Sequence, residues 1–264
     1  MESYRLEGQT FVIDDYDRKP AFSSFLPGLA GVKGIPLWTF YTNRGQGMNS
    51  FGIDNKGNAI MEFNSANTAF ENTQVKGFRT FLKIDGEYYE PFFTYEKEAK
   101  RQMRMNKNSF KIIETNEKYG IEVTVNYYVL PNESIGALVR QVSVKNIGDS
   151  AKEVQVIDGL PKIITYGIAN GEFKEMSNLF KSWADIRNLE NKVPYYTLRA
   201  STKDSAEVSD VEGGYYYLTV RDGKLQDVIY DVDTVFGYDL SLMTPVNFID
   251  GSIEGVLSKE QCFA

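Results

Sequence analysis

Residues 25–63 read FLPGLAGVKGIPLWTFYTNRGQGMNSFGIDNKGNAIMEF. Within this stretch Pro36-Leu37-Trp38-Thr39-Phe40-Tyr41 is a run of aromatic and β-favouring residues, which predicts a strand carrying Trp38 and Phe40 on one face. Asn43-Arg44-Gly45-Gln46-Gly47 breaks that strand, because glycines at alternate positions permit positive φ and close approach of backbone. The segment reads as an exposed elbow presenting Asn43, Arg44 and Gln46, whose planar amide and guanidinium heads pair with sugar hydroxyls or carboxylates. Residues 50–53, a glycine-bearing turn over 54–58 and residues 59–63 then predict a hairpin. Strand, elbow, strand, turn and strand describe a shaped surface and set an all-β expectation.

The chain on either side continues that pattern. Residues 10–13 can add an entry strand, and residues 78–84 and 88–93 flank Asp85-Gly86-Glu87 as a second hairpin. In residues 120–130, Ile121, Val123, Val125, Tyr127 and Val129 alternate with Glu122, Thr124, Asn126 and Tyr128, the period of a half-buried strand. Two more strands, 137–146 and 153–159, follow after short turns, which predicts an antiparallel meander and not βαβ units. The basic segment KEAKRQMRMNK, residues 97–107, reads as solvated, partly helical or strand-edge.

Residues 170–190 are the one convincing helix, with Phe173, Met176, Phe180, Trp183 and Ile186 in an apolar stripe. Strand patterns return at 194–200, 215–220 and 228–235, separated by polar turns such as Asp204-Ser205. The run Tyr215-Tyr216-Tyr217 puts rings on both faces, so at least one is exposed. From residue 236 the signal fades, and no internal repeat divides the chain, so one domain over 1–264 is expected.

Composition removes several kinds of chemistry. The 264 residues are 42% hydrophobic, enough for a sizeable core in one domain. Net charge is −7 without a basic block, which argues against nucleic acid as a partner. The single cysteine, Cys262, forbids an internal disulfide and fits a reducing, cytoplasmic setting. No apolar run approaches the roughly 20 residues of a membrane-spanning helix. The sequence contains no histidine, so Ser-His-Asp triads, Cys-His dyads and histidine-ligated metals are impossible within it, and a histidine-dependent sugar epimerase on a similar fold is disfavoured. The acidic run Asp14-Asp15-Tyr16-Asp17 lacks the spacing of an EF-hand, and the glycine-rich stretch around Lys33 lacks the Walker pattern, so neither a metal nor a phosphate loop is assigned.

The string from Pro27 to Phe63, with NRGQG framed by PLW, SFG and IMEF, resembles the start of the amino-terminal domain of the cellobiose phosphorylase family. These inverting glycoside phosphorylases form glycoside hydrolase family 94, formerly glycosyltransferase family 36, and the likeness is greatest to the β-1,2-oligoglucan phosphorylase branch. It continues more loosely through residues 139–160 and 235–240. The resemblance implies a large antiparallel two-sheet β-super-sandwich, galactose-mutarotase-like, with one inserted amphipathic helix at about 170–190. It also implies a longer enzyme, in which a helical linker, an (α/α)6 barrel holding the catalytic carboxylic acid and a small β-domain follow.

On that basis the chain is expected to be a non-catalytic, carbohydrate-facing domain. It would contribute no catalytic residue and use no cofactor, with inorganic phosphate as co-substrate of the full-length enzyme. Its partners would be its own barrel, a β-glucan oligosaccharide and, in some members, a second copy in a homodimer. Asn43, Arg44, Gln46 and Trp38 would serve substrate binding or the domain interface, although for Arg44 an internal ion pair that braces the elbow is the slightly preferred reading. Two alternatives differ in class: a free-standing carbohydrate-binding sandwich, and a sandwich hydrolase using an acid pair such as Asp158 and Glu62.

Overall fold

A computed structural model describes residues 3–26, 28–93, 97–199, 206 and 212–259. The chain is mostly β, built of several antiparallel sheets with few helices. It divides into two compact units, Met1–Asn55 with Phe63–Pro161 and Lys56–Glu62 with Lys162–Ala264. Strands and helices are numbered along the whole chain.

The first unit is founded on a six-stranded antiparallel sheet. Its strands are β1 (Tyr4–Glu7), β2 (Thr10–Asp14), β10 (Lys100–Met105), β11 (Ser109–Asn116), β12 (Ile121–Val129) and β13 (Leu138–Asn146), in that spatial order. The period-two pattern does what it predicts: Ile121, Val123, Val125 and Tyr127 are buried, as are Phe110, Ile112, Glu114 and Asn116 on β11. The register sets Phe110 opposite Tyr127 and Ile112 opposite Val125, so buried rows run across the sheet.

Residues 97–107 are not a solvated margin. They supply β10, an interior strand between β2 and β11, with Arg101 and Met103 buried. The basic composition conceals the alternation because one inward residue is an arginine, which lies opposite Glu114 and pairs with it.

In a second sheet of this unit, β3 (Ser23–Phe25) and β4 (Gly28–Ala30) both pair with β5 (Ile35–Thr42), which pairs with β6 (Met48–Ile53). The predicted strand over residues 36–41 is therefore present and central. Its rings meet the six-stranded sheet: Tyr41 stacks on Phe110 at 4.6 Å, Phe110 on Tyr127 at 4.7 Å, and Phe78 bridges Phe51 and Tyr127 at 6.2 and 6.0 Å. Each such pair adds about 1 kcal/mol to the area it buries.

A third sheet holds β8 (Arg79–Ile84) between β9 (Glu87–Tyr89) and β14 (Val154–Gly159). The predicted hairpin joins β8 and β9 through Asp85 and Gly86, both at positive φ, as a two-residue turn of this hand requires. The predicted meander is corrected at its third strand, because β14 leaves β13 and pairs with β8. Helix α1 (Ala66–Lys76) was not foreseen; its buried residues are only Ala69 and Thr73, so no apolar stripe announces it.

Among the described residues the second unit contains β7 (Ala59–Met61), the sheet β15 (Ala184–Arg187), β16 (Tyr195–Leu198) and β17 (Tyr215–Tyr216), the small hairpin β18 (Val220–Arg221) with β19 (Lys224–Leu225), and four α-helices. The helix expected over 170–190 is shorter: α2 spans Asn170–Lys181, and Ser182 N–H and Trp183 N–H turn back to Leu179 and Phe180 carbonyls. Ile186 lies on β15 opposite Tyr196, so its place in the apolar stripe is a coincidence of spacing that strand pairing overrides.

The strand read at 228–235 is replaced by helix α3 (Val232–Phe236), whose start is fixed by Asp231 accepting from Asp233 N–H at 3.1 Å. The low-signal tail contains α4 (Val246–Asp250) and α5 (Ile253–Leu257), the latter capped by Ser252. Tyr216 is exposed, as expected of the tyrosine run. The turn at Asp204-Ser205 and Cys262 lie outside the described residues.

Candidate functional site

The elbow between β5 and β6 is a closed turn. Gly47 N–H donates to Arg44 O at 2.9 Å and Thr42 N–H to Gly47 O at 2.8 Å. Gly45 and Gly47 sit at φ 49° and 84°, and a Cβ on Gly47 would lie 2.7 Å from the Phe110 ring. Glycine is needed there for conformation and for space.

Asn43 is fully buried, not presented to solvent. Its Oδ1 accepts from Phe22 N–H at 2.9 Å, and its Nδ2 donates to the carbonyls of Tyr16 at 2.9 Å and Pro20 at 3.0 Å. The Tyr16 hydroxyl, from the 3₁₀ turn Tyr16–Arg18, donates to Gly45 O at 2.6 Å. Asn43 thus ties the elbow to the chain entering β3. A β-bulge at Phe40/Tyr41 gives β6 an extra residue, Asn49, which donates to Ala69 O and Thr73 Oγ1 on α1.

Gln46 is 3% exposed and also faces inward. Its Oε1 accepts from Arg140 and from Thr80 Oγ1, while its Nε2 has no hydrogen-bond partner among the described residues. Arg140, on β13, is the centre of this cluster. It grips Asp158 of β14 through Nε at 3.0 Å and Nη2 at 2.7 Å, donates to the Tyr127 hydroxyl, and lies against the rings of Phe78 and Tyr127 at 5.2 and 5.3 Å. Burial pushes the Tyr127 phenol far above its ordinary range, against the pull of Arg140. Sequence reading missed Arg140. The available signal was its position on β13, opposite Tyr127 on the inward side of the alternation.

Arg44 differs from its neighbours. From Thr39 through Gly52 it is the one residue that is not buried. Its Nη1 donates to Asn43 O at 2.8 Å and its Nη2 to Lys19 O at 3.2 Å. The brace is made to two carbonyl oxygens, so the internal ion pair considered for it is not the arrangement present. Trp38, at the start of β5, is half-buried; its Nε1 donates to Asn55 O at 2.8 Å and its ring meets Phe63 edge-on at 5.6 Å. Phe25, more than half exposed, leans on Phe40 at 5.1 Å.

Two other buried ionic groups stiffen the first unit. Arg101 binds Glu114 at 2.6 Å, Asp17 at 2.5 Å and Phe93 O at 2.7 Å, and Glu114 also accepts from Phe92 N–H and the Tyr89 hydroxyl. Arg79 binds both carboxylate oxygens of Glu90 at 2.7 Å. Burial raises the carboxyls of Glu114 and Glu90 above the usual range, with the facing arginines opposing it. Glu114 is held from three sides by its neighbours, an arrangement suited to structure and not to proton transfer.

Of the acid pair considered for a hydrolase, Asp158 is clasped by Arg140 and Glu62 belongs to the second unit. The Asp14–Asp17 run is likewise engaged: Asp14 with Arg5 and Gln102, Asp17 with Arg101. Among the described residues no group of three or more His, Cys, Asp or Glu side chains is placed to hold a metal, and no helix is long and apolar enough to cross a membrane. No protein-family model matches the chain, and no curated protein matches it either.

Proposed function

We propose that this chain is the amino-terminal carbohydrate-facing domain of an inverting β-glucoside phosphorylase, acting beside a helical barrel that carries the catalytic acid. The reading rests on the resemblance of the stretch from Pro27 to Phe63, and the observation that supports it best is the elbow. A surface turn with no task does not need two glycines at positive φ, a buried asparagine and a buried glutamine to hold one arginine at the surface. The antiparallel sheets and the aromatic seam between two of them agree with a β-super-sandwich, which is the finer architecture proposed.

In that reaction phosphate attacks the anomeric carbon while a carboxylic acid protonates the departing glycosidic oxygen, the inverting scheme with phosphate in the place of water. This chain supplies neither group. Its part is to support the barrel and border the sugar site, with Arg44 and Trp38 as the elements of the expected set that reach the surface; Asn43 and Gln46 hold the elbow from inside. A cytoplasmic enzyme, a β-1,2-glucan or cellobiose-like substrate and a homodimer complete the proposal.

The test has two arms. The 264-residue chain, incubated with β-1,2-glucooligosaccharides or cellobiose and phosphate, should release no glucose 1-phosphate, whereas the polypeptide encoded by its complete reading frame should. Release by the chain alone overturns the domain assignment. A reading frame without a helical barrel transfers the case to a free-standing carbohydrate-binding module, for which the exposed Phe25 beside Phe40 is the supporting observation.

A further inference from the structure

Five of the seven arginines of the first unit are neutralised. Arg5, Arg79, Arg101, Arg104 and Arg140 each lie within 4.0 Å of a carboxylate. Arg18, which donates to Lys97 O at 2.7 Å, and Arg44 do not: among the described residues the Arg44 guanidinium meets only the carbonyl oxygens of Asn43 and Lys19. Those contacts use one hydrogen on each terminal nitrogen. Since a guanidinium has five N–H donors, Nε–H and one hydrogen on each Nη remain.

The surroundings restrain this group strongly. Every other residue from Thr39 to Gly52 is buried, the backbone on both sides is pinned by Asn43 and by the Tyr16 hydroxyl, and Gly45 and Gly47 are packed against Gln74 and Phe110. A cation partly withdrawn from water, without a counter-charge among the described residues and oriented by two carbonyl bonds, has already met part of the ordering cost of binding.

We propose that Arg44 is an oxyanion receptor, which takes a carboxylate or phosphate group on its unused donors in a bidentate contact. The two carbonyl contacts orient the fork and leave its remaining hydrogens for the anion. The ligand is either a free phosphate-type anion or a carboxylate, and both offer the paired oxygens that the fork fits. This inference does not rest on the phosphorylase reading, because it concerns anion binding by this chain alone and survives if no glucose 1-phosphate is ever formed.

The experiment follows the backbone amide resonances of Gly45 and Gly47 in the 264-residue chain during separate titrations with inorganic phosphate and with sodium acetate, at ionic strength held constant by chloride. Saturable shifts with a dissociation constant of roughly millimolar order are expected for at least one of them. A tighter phosphate response identifies a free phosphate-type ligand, and a tighter acetate response a carboxylate. Arg44→Gln should weaken the response at least about tenfold, one factor of ten being about 1.4 kcal/mol. Arg44→Lys keeps the charge without the fork and should also weaken it, so either variant reports if the other folds poorly. Shifts that fail to saturate with both anions, or that persist unchanged in both variants, overturn the proposal.

Discussion

Arg140 on β13 and Gln46 in the elbow are joined by a part-buried hydrogen bond between segments 94 residues apart, with Asp158 and Thr80 completing the contact. The internal ion pair considered for Arg44 is thus made by another arginine, and the elbow is tied to two sheets at once. Replacing Arg140 by Met should cost roughly 3 kcal/mol, the low end of the range for breaking a buried pair, because Asp158 is 25% exposed and recovers some hydration. Arg140→Lys should restore less than half, since one ammonium cannot span Asp158, Gln46, Thr80 and Tyr127 together. Urea unfolding of both variants decides; a lysine variant as stable as the parent would show that charge alone matters here.

Asn43 and Arg44 are adjacent and should behave in opposite ways. Asn43→Ala leaves the part-buried Phe22 N–H without its acceptor and takes one of two donors from the Tyr16 carbonyl, which keeps Lys19 N–H, so a loss of about 2 kcal/mol is expected at about 1–3 kcal/mol per unsatisfied group. Arg44→Ala removes two bonds to carbonyls at the surface and should cost about 1 kcal/mol or less. Comparing melting temperatures of the two variants tests the division of labour, which fails if Arg44→Ala is the more damaging.

Much of this is legible in the sequence. The alternation in β12 gave its buried face residue by residue, and Asp85-Gly86 located its turn, because strand period and turn chemistry are local properties. The elbow was legible as a shape, since Gly45 and Gly47 are glycines for steric reasons. Its orientation was not. Whether Asn43 and Gln46 point out or in depends on Tyr16, Phe22 and Arg140, which arrive from elsewhere in the chain. Similarly, Arg101 reads as part of a solvated basic segment until the register sets it opposite Glu114, and Ile186 satisfied helical spacing while belonging to a strand.

Burial of tyrosines makes stability fall at high pH. Tyr16, Tyr88, Tyr127 and Tyr196 all have phenols raised above the ordinary value of 10.0, burial being the largest cause in each. A group whose pKa is higher in the folded state contributes stability that is complete below the unfolded value and is lost as pH rises towards the folded one. Stability should therefore decline above about pH 10. In an ultraviolet titration, part of the absorbance change of the 17 tyrosines should be withheld until unfolding. Smooth ionisation of all of them while the circular dichroism stays native would contradict the burial described.

Two glycines separate backbone strain from packing. Gly34 is at φ 63° with nothing within 4 Å of the position a methyl would take, so Gly34→Ala meets only the left-handed backbone penalty, about 1–2 kcal/mol. Gly47 is at φ 84°, and its added methyl would sit 2.7 Å from Phe110 Cε2, in a ring that stacks on both Tyr41 and Tyr127. That ring cannot turn aside without opening the aromatic seam, so overpacking adds about 1–3 kcal/mol to the same penalty. Gly47→Ala should therefore be the more destabilising, and Phe110→Leu in the Gly47→Ala background should recover part of the difference by making room, although it costs stability in the parent. Chemical denaturation of the two single variants and the double variant measures the coupling. Equal losses at Gly34 and Gly47, or strictly additive losses at Gly47 and Phe110, would mean that the elbow does not press on the seam, and that its glycines serve backbone shape alone.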